Sequence, residues 1–331
     1  MSSIILLSIL FLICSCNSQD EIMKLKLYQQ SLSQDTNLNK ESEYMVVIGD
    51  IQGYTRNDGN DRYYGITMNW INTQYFQGCK IKSVLQLGDI TENNSKWQYE
   101  LFHKYTLPVA QNIPYIACIG NHDYTWDKES RINDRKETLF TEYTSFGLTE
   151  TLIVDRFEED RMENVIVKNE IWGNLYYILS LEFRPRTEVL EWANRFVKKH
   201  PNHKFILMTH EFLTGKGERI SSSSYTSQQL KNTTWNSPEQ VWQQLVKDND
   251  NIFCVLCGHN GFFTYLMSDN ASDRSVPQIL FNLQYLENGG DGWVQLWEFP
   301  QNSDSVNVIL YNTLRREWKS DIGKLKLRYK Y

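Results

Sequence analysis

The chain lacks the features that mark several classes of protein. Its formal charge is −6, and no basic stripe is interleaved with aromatic residues, so nucleic acid is not predicted as an electrostatic partner. The apolar run at residues 4–13 is far shorter than the ~20 residues that a membrane-spanning helix needs. Cys254 and Cys257 have no second cysteine pair nearby, and their apolar surroundings predict buried strand thiols rather than a metal site.

The N-terminal residues are typical of an export signal. Residues 4–13 resemble the apolar core of a signal peptide, although no Lys or Arg precedes them. Cys16 lies in a context that resembles a bacterial lipobox, so we expect an exported protein whose contact with a membrane is a lipid anchor at Cys16. Ordinary cleavage and secretion is the alternative. The predicted divisions are a signal peptide at 1–16, a flexible tether at 17–43, a folded domain at 44–318 and a C-terminal tail at 319–331.

Strand and helix patterns alternate along the chain. A length of 331 residues allows one large α/β domain or two smaller ones. Apolar residues recur at helical spacing in the segment 187–199, at Val189, Trp192, Ala193 and Phe196. Helices are also predicted at 62–76 and 95–109, and strands at 44–48, 83–87, 115–119, 175–181, 205–209 and 252–257. The C-terminal segments 278–283, 293–299 and 306–310 are predicted to be antiparallel strands that complete a sheet.

Five residues with metal-binding side chains follow directly on predicted strands. They are Asp50, Asp89, Asn121, His210 and His259. The carboxyl ends of parallel strands share one edge of a sheet, where ligands bind in α/β folds. Carboxylate, amide and imidazole groups are ordinary metal ligands. The pattern therefore predicts that distant parts of the chain converge on a metal site.

The motifs around these residues resemble those of the calcineurin-like metallophosphoesterases. Within that superfamily the chain is similar to exported members that have Asp-x-Gln as the first motif and a late Gly-Gly-x-Gly-Trp. The resemblance covers residues 44–261 and, with the late motif, reaches about residue 312. The matching segments are Asp50-Ile51-Gln52, Gly88-Asp89 to Asn93, Gly120-Asn121-His122-Asp123, His210, Gly258-His259-Asn260-Gly261, and 289–293.

This resemblance implies a four-layer α/β/β/α sandwich of two mixed sheets, with one or two divalent ions of Mn, Fe, Zn or Mg. The family's two metal positions share a bridging carboxylate, here Asp89. Gln52 and Gly261 stand where the family has two histidines, and both departures fall on the first position. The implied ligands are Asp50, Gln52 and Asp89 for the first ion, and Asp89, Asn121, His210 and His259 for the second.

The implied activity is hydrolysis of a small phosphate monoester or diester by a metal-bound hydroxide. His122 would protonate the leaving group or stabilise its charge, and Asp123 would orient His122. Arg184 and Arg186 are candidates to grip the phosphate, with surface charge pairs as the alternative. A rival hypothesis follows from the two missing histidines. In it the chain is a degenerate family member that binds a phosphorylated or glycan ligand without turnover.

Overall fold

The computed structural model describes residues 38–56, 59–127, 132–221, 229–230, 234–318 and 325–328. The predicted signal peptide, most of the predicted tether and most of the predicted tail lie outside these residues, so those assignments stay predictions. Among the helices that the structure describes, none is both long and apolar enough to cross a membrane.

Strands and helices alternate through the first two thirds of the chain. The strands are β1 (Ser42–Ile48), β2 (Lys80–Gln86), β3 (Tyr115–Ala117), β4 (Thr125–Asp127), β5 (Ile132–Asp134), β6 (Ile153–Arg156), β7 (Val165–Ile171), β8 (Asn174–Ser180), β9 (Lys204–Met208), β10 (Gln229–Leu230), β11 (Ile252–Cys257), β12 (Phe262–Asp269), β13 (Ser275–Asn282), β14 (Trp293–Pro300), β15 (Ser305–Asn312), β16 (Glu317–Trp318) and β17 (Leu325–Arg328). The helices are α1 (Gln52–Thr55), α2 (Asp61–Phe76), α3 (Lys96–Ala110), α4 (Phe140–Thr144), α5 (Gly147–Glu150), α6 (Thr187–Lys199) and α7 (Pro238–Val241).

These strands form two large mixed sheets. The first has the order β16-β15-β14-β1-β2-β3, with β17 paired to β15, and the second has the order β12-β13-β11-β9-β8-β7-β6. Strands β1, β2 and β3 run parallel in the first sheet, and β8, β9, β11 and β13 run parallel in the second. A small sheet of β10, β5 and β4 lies outside both.

The two large sheets pack face to face. Between them the Asn169 amide donates to Ser83 Oγ at 2.7 Å, and the Ser180 hydroxyl donates to the Ala117 carbonyl at 2.9 Å. Apolar side chains from both sheets form one continuous buried cluster. The sequence dictates this arrangement because parallel strands, apolar on both faces, need a second layer on each side.

Helices cover the outer faces. Trp70 of α2 packs on Tyr311 of β15 with ring centroids 4.8 Å apart, on the first sheet. Phe196 of α6 packs on Tyr177 of β8 at 5.4 Å, on the second. The predicted four-layer α/β/β/α sandwich is therefore confirmed, and helix α6 has the predicted bounds.

The C-terminal strands differ from the prediction. β14 and β15 are antiparallel neighbours as expected, but β13 lies in the other sheet, parallel to β11 and antiparallel to β12. Short apolar strands look alike in sequence, and only packing decides which sheet they join. The four cysteines of the described residues are buried and form no disulfide, and Cys254 and Cys257 are buried strand thiols as predicted.

The Asn169 to Ser83 contact offers a test of the face-to-face packing. Ser83→Ala and Asn169→Ala are each expected to lower the free energy of unfolding by about 1–3 kcal/mol, because each leaves a buried polar partner unsatisfied. The double variant should lose less than the sum of the two, by about 1 kcal/mol. Urea denaturation measures all three changes, and strict additivity would contradict a direct contact between the sheets.

Candidate metal centre

The five predicted strand-end residues converge at one edge of the sandwich. Asp50, Asp89 and Asn121 follow β1, β2 and β3 of the first sheet, and His210 and His259 follow β9 and β11 of the second. All these strands are parallel to a neighbour, so their carboxyl ends lie together. The sequence prediction of convergence is thus supported by the fold.

Three of these side chains form a compact cluster. The ligand atoms of Asp89, His210 and His259 all lie within 4.8 Å of one another. His210 Nε2 lies 3.1 Å from Asp89 Oδ2 and 3.2 Å from His259 Nδ1. One carboxylate and two imidazoles are a donor set that suits Mn, Fe or Zn, so these residues fit a divalent metal ion.

Neighbouring groups fix the orientation of both imidazoles. His210 Nδ1 lies 2.7 Å from the Leu87 carbonyl, so this nitrogen carries a proton and leaves Nε2 facing Asp89. His259 Nε2 lies 3.5 Å from Glu211 Oε1, and Glu211 in turn accepts from Arg184 Nε at 2.9 Å. Because Nε2 of His259 faces Glu211, Nδ1 is the ring nitrogen of His259 that faces the cluster.

Buried carboxylates set the charge of the two imidazoles in the cluster. Burial by itself would lower the pKa of His210, but the carboxylates of Asp89 and Asp50 outweigh it and raise this pKa to about 10. Burial likewise opposes ionisation of Asp89, yet the adjacent His210 holds the Asp89 pKa below its usual range. Burial lowers the pKa of His259 to about 4. The carboxylates therefore sit against one positive charge and one neutral imidazole.

Close backbone approach explains two glycines of the motifs. A Cβ atom on Gly120 would lie 2.1 Å from Asp89 Oδ1, and one on Gly258 would lie 2.3 Å from Asp50 Oδ1. Both distances are shorter than any real contact of a Cβ atom. Glycine is therefore required at both positions for the carboxylates to occupy the site.

At the predicted first metal position, side-chain amides contact the carboxylates. Gln52 Nε2 donates to Asp89 Oδ2 at 3.0 Å, and its Oε1 is buried without a hydrogen-bond partner among the described residues. Asp50 Oδ2 accepts from the amides of Asn282 at 2.7 Å and Gln284 at 3.1 Å. Burial raises the pKa of Asp50 well above its usual range. The orphaned Gln52 oxygen is a suitable ligand atom for a hard cation.

Asn282 is a residue that the sequence analysis missed. Its amide donates both to Asp50 and, at 3.0 Å, to the His259 carbonyl, so it links the two sheets at the site. It ends strand β13, and a polar residue at the end of an apolar run was the available signal. Tyr285, also missed, lies 3.0 Å from where a Cβ atom on Gly261 would be. Tyr285 thus crowds the position where the family has its histidine.

His122 is held by backbone contacts. Its Nδ1 lies 2.8 Å from the Glu92 carbonyl, and its backbone N–H donates to Asp89 Oδ1 at 3.0 Å. Burial opposes protonation of His122, but Asp89 and the Glu92 carbonyl outweigh it and raise the pKa. The ring is therefore oriented by Glu92, whereas the sequence analysis expected Asp123 in that role.

Asp123 has a different set of contacts. Its carboxylate accepts from the backbone N–H groups of Gly120, Ile90 and Thr91 and from the Thr91 hydroxyl, at 2.9–3.2 Å. Burial and the nearby Asp89 raise its pKa to about 6. Asp123 thus joins the two loops that carry Asp89 and His122.

The two candidate phosphate-binding arginines both contact carboxylates. Arg184 is buried and pairs with Glu211, beside His259. Arg186 pairs with Glu182 at 2.9 Å and with Glu158 at 3.3 Å. Arg184 is therefore connected to the cluster through Glu211, and its predicted role in substrate binding stays a prediction, as does that of Arg186.

Metal binding by the cluster can be measured directly. His259→Ala is expected to weaken Mn²⁺ or Zn²⁺ binding by at least about 100-fold, because the loss of a ligand exceeds the ~10- to 100-fold cost of changing the residues around one. Calorimetric titration of metal-stripped protein gives the affinities. His203→Gln is the control, since His203 packs on Tyr177 at the far end of β8 and β9. Equal affinity in His259→Ala and the parent chain would contradict the assignment.

The first metal position generates a second prediction. Gln52→His is expected to strengthen binding of a second ion by about tenfold or more, since imidazole is a better ligand than an amide for Mn, Fe or Zn. The same titration should show this as a strengthened second transition. Gln52→Asn keeps an amide and should not strengthen it. An unchanged titration in Gln52→His would contradict the assignment of Gln52 to the first metal position.

Comparison with known proteins shows where this chain has relatives. The family profile described as calcineurin-like phosphoesterase matches residues 45–294. The chain is 27% identical over 292 residues to the uncharacterized protein YvnB of Bacillus subtilis, covering 82% of this chain and 20% of YvnB. It is 30% identical over 91 residues to a probable inactive purple acid phosphatase 24 of Arabidopsis thaliana, covering 26% of this chain and 15% of that protein. The chain thus spans a fifth or less of the length of these relatives.

Two solved structures are also similar. One is a conserved uncharacterized protein, a predicted phosphoesterase, from Streptococcus pneumoniae, with a TM-score of 0.34 and 9% identity over 87% of this chain and 98% of that one. The other is the sulfate thiohydrolase SoxB of Thermus thermophilus, with a TM-score of 0.43 and 10% identity over 87% of this chain and 60% of that one. Both similarities are too distant to inform the description of the site.

Proposed function

Because the chain belongs to the calcineurin-like phosphoesterase family, we propose that it hydrolyses a small phosphate monoester or diester at the cluster of Asp89, His210 and His259. The family hydrolyses phosphoester bonds and is metal-dependent, so the chain is a hydrolase of the metallophosphoesterase type. The observation that carries the proposal for this site is that His122 and the metal-type cluster meet on one carboxylate. Asp89 receives the His122 backbone N–H on Oδ1 and His210 on Oδ2.

The chain's residues divide the chemical work. Asp89, Asn121, His210 and His259 would hold one divalent ion, and Asp50, Gln52 and Asp89 would hold a second. When bound, such ions act as Lewis acids on phosphoryl oxygens and make water a better nucleophile at neutral pH.

In this proposal, His122 would supply the proton that the leaving group needs. Its Nδ1 is committed to the Glu92 carbonyl, so Nε2 is the atom that donates to the leaving oxygen. Against the effect of burial, the charge of Asp89 and the Glu92 carbonyl raise the pKa of His122. Asp123 holds the loop of His122 against the loop of Asp89. The distance between the His122 ring and the cluster is therefore fixed.

The arrangement also has to exclude bulk water. Asp50, Asp89, Asn121 and His210 are all buried, and each side chain loses at least nine tenths of its exposure. Charges in such a water-poor setting interact more strongly than in solvent. His122 remains partly exposed, which is consistent with contact with an incoming substrate.

The proposal predicts how activity depends on His122. The full chain, metal-stripped and then supplied with Mn, Zn, Fe or Mg, is assayed on para-nitrophenyl phosphate and its bis ester. His122→Ala is expected to lower kcat by about 10²-fold or more, since general acid catalysis contributes ~10²–10⁴-fold. The loss should be larger on phenyl phosphate, whose more basic leaving group depends more on protonation.

The controls separate the two candidate functions. His103→Ala changes a histidine of α3 that stacks on Phe146, and it should keep full activity. An equal loss on both leaving groups in His122→Ala would remove the proton-donor role. If no metal supports turnover although one ion binds tightly, the chain is instead a member of the family that binds a phosphorylated or glycan ligand.

A further inference from the structure

Two aromatic side chains beside the metal centre are exposed. Phe262 is 55% exposed and Tyr285 is 65% exposed, although aromatic side chains usually contribute most of their surface to a core or an interface. Their ring centroids lie 6.5 Å apart at an interplanar angle of 65°, which is an edge-to-face pair. Leu286, the residue after Tyr285, is exposed as well. Exposed apolar side chains that lie together usually mark a binding site.

The fold places this aromatic pair at the edge of the predicted first metal position. Phe262 begins β12 and pairs with Asn282 of β13, whose amide donates to Asp50 Oδ2 at 2.7 Å. Tyr285 follows Gln284, whose amide donates to the same oxygen at 3.1 Å. Each ring is therefore next to a residue that is hydrogen-bonded to a predicted metal ligand.

The Tyr285 side chain has its hydroxyl near the carboxylates and its ring exposed. Two of its ring atoms, Cδ2 and Cε2, lie 3.0 and 3.2 Å from where a Cβ atom on Gly261 would be. Burial of the hydroxyl raises the pKa of Tyr285, and the charges of Asp50 and Asp89 raise it further. The exposed part of the side chain is thus the ring face, which is available for contact with a ligand.

His122 is close to the same region. Its Nδ1 lies 2.8 Å from the Glu92 carbonyl, and the Glu92 side chain lies 3.6 Å from that of Arg56. The charges of Arg56 and Glu92 also reach the Tyr285 hydroxyl and act on its pKa in opposite directions. In the proposed reaction His122 protonates the leaving oxygen, so the rest of the leaving group lies beyond that oxygen. The aromatic pair borders this space.

The chemistry of the pair defines what it would bind. The charge distribution of an aromatic ring favours edge-to-face or offset contact with another planar ring. Aromatic side chains bind planar bases by stacking, largely independently of the base. A saturated ring of the same size would gain apolar contact but not this electrostatic attraction. The exposed faces of Phe262 and Tyr285 therefore match a planar ring best.

We propose that Phe262 and Tyr285 bind the leaving group of the substrate, and that this leaving group carries a planar aromatic ring, as a benzyl, aryl or nucleoside ester does. This inference rests on the proposed function, because it concerns the leaving group of the same reaction. The two rings select the substrate, whereas proton transfer stays with His122.

The experiment measures binding without turnover. The full chain, loaded with Mn²⁺, is titrated calorimetrically with benzylphosphonate, cyclohexylmethylphosphonate and methylphosphonate, whose carbon–phosphorus bond replaces the ester bond. Benzylphosphonate is expected to bind about three- to tenfold more tightly than cyclohexylmethylphosphonate, the equivalent of one aromatic pair. Tyr285→Leu and Phe262→Leu should each reduce this preference, and Tyr285→Phe should keep it because the ring remains.

A matched control variant is available on the same strand. Tyr265 of β12 is 47% exposed, and Tyr265→Leu should leave the preference for benzylphosphonate unchanged. The inference is overturned if no phosphonate binds or if the benzyl and cyclohexylmethyl compounds bind equally. A preference that survives both Tyr285→Leu and Phe262→Leu would overturn it too.

The results separate this inference from the proposed function. A preference for benzylphosphonate in a chain that hydrolyses no ester would support the aromatic site and contradict the hydrolysis. Equal binding of all three phosphonates in a chain that hydrolyses esters would contradict the aromatic site alone. Turnover then identifies the kind of ester. A lower KM for adenosine 5′-monophosphate than for ribose 5-phosphate supports a nucleoside, and a preference confined to benzyl over cyclohexylmethyl phosphate supports a ring next to the phosphate.

Discussion

The carboxylate of Asp89 is the group on which the rest of the site depends. Its two oxygens accept from the Gln52 amide and the His122 backbone and contact His210, while its own carbonyl accepts the backbone N–H groups of Ile51 and Gln52. Three separate segments are thus tied to one residue. Asp89 has a φ of 48°, a left-handed conformation that Asp tolerates better than most residues.

Burying this carboxylate explains the composition around it. A buried carboxylate has to be paired or hydrogen-bonded, because its hydration is lost. For Asp89, His210 supplies the opposite charge, and the Gln52 amide and the His122 backbone N–H supply hydrogen bonds. A divalent ion would take over that compensation, so the same contacts that stabilise the fold also prepare the site for a cation.

Replacement of imidazole by amide changes the hydrogen-bonding chemistry of the predicted first metal position as well as its shape. An amide nitrogen donates where a neutral imidazole would offer a lone pair, and here Gln52, Asn282 and Gln284 all donate to Asp50 or Asp89. Tyr285 lies against Gly261, the second residue that stands where the family has a histidine. The predicted second position keeps its carboxylate and both imidazoles, so the side chains at the two predicted positions differ in the ligand atoms that they offer.

Sequence alone determined the α/β class, the helix at Thr187–Lys199 and the strand-end positions of Asp50, Asp89 and His210, because these follow from short-range periodicity and from the direction of parallel strands. The four layers were implied by the resemblance of the motifs to a known family. The tertiary structure decided which sheet β13 joins and that Glu92 rather than Asp123 orients His122. Those features depend on partners far apart in the chain, and no local pattern specifies which side chains meet when the sheets pack.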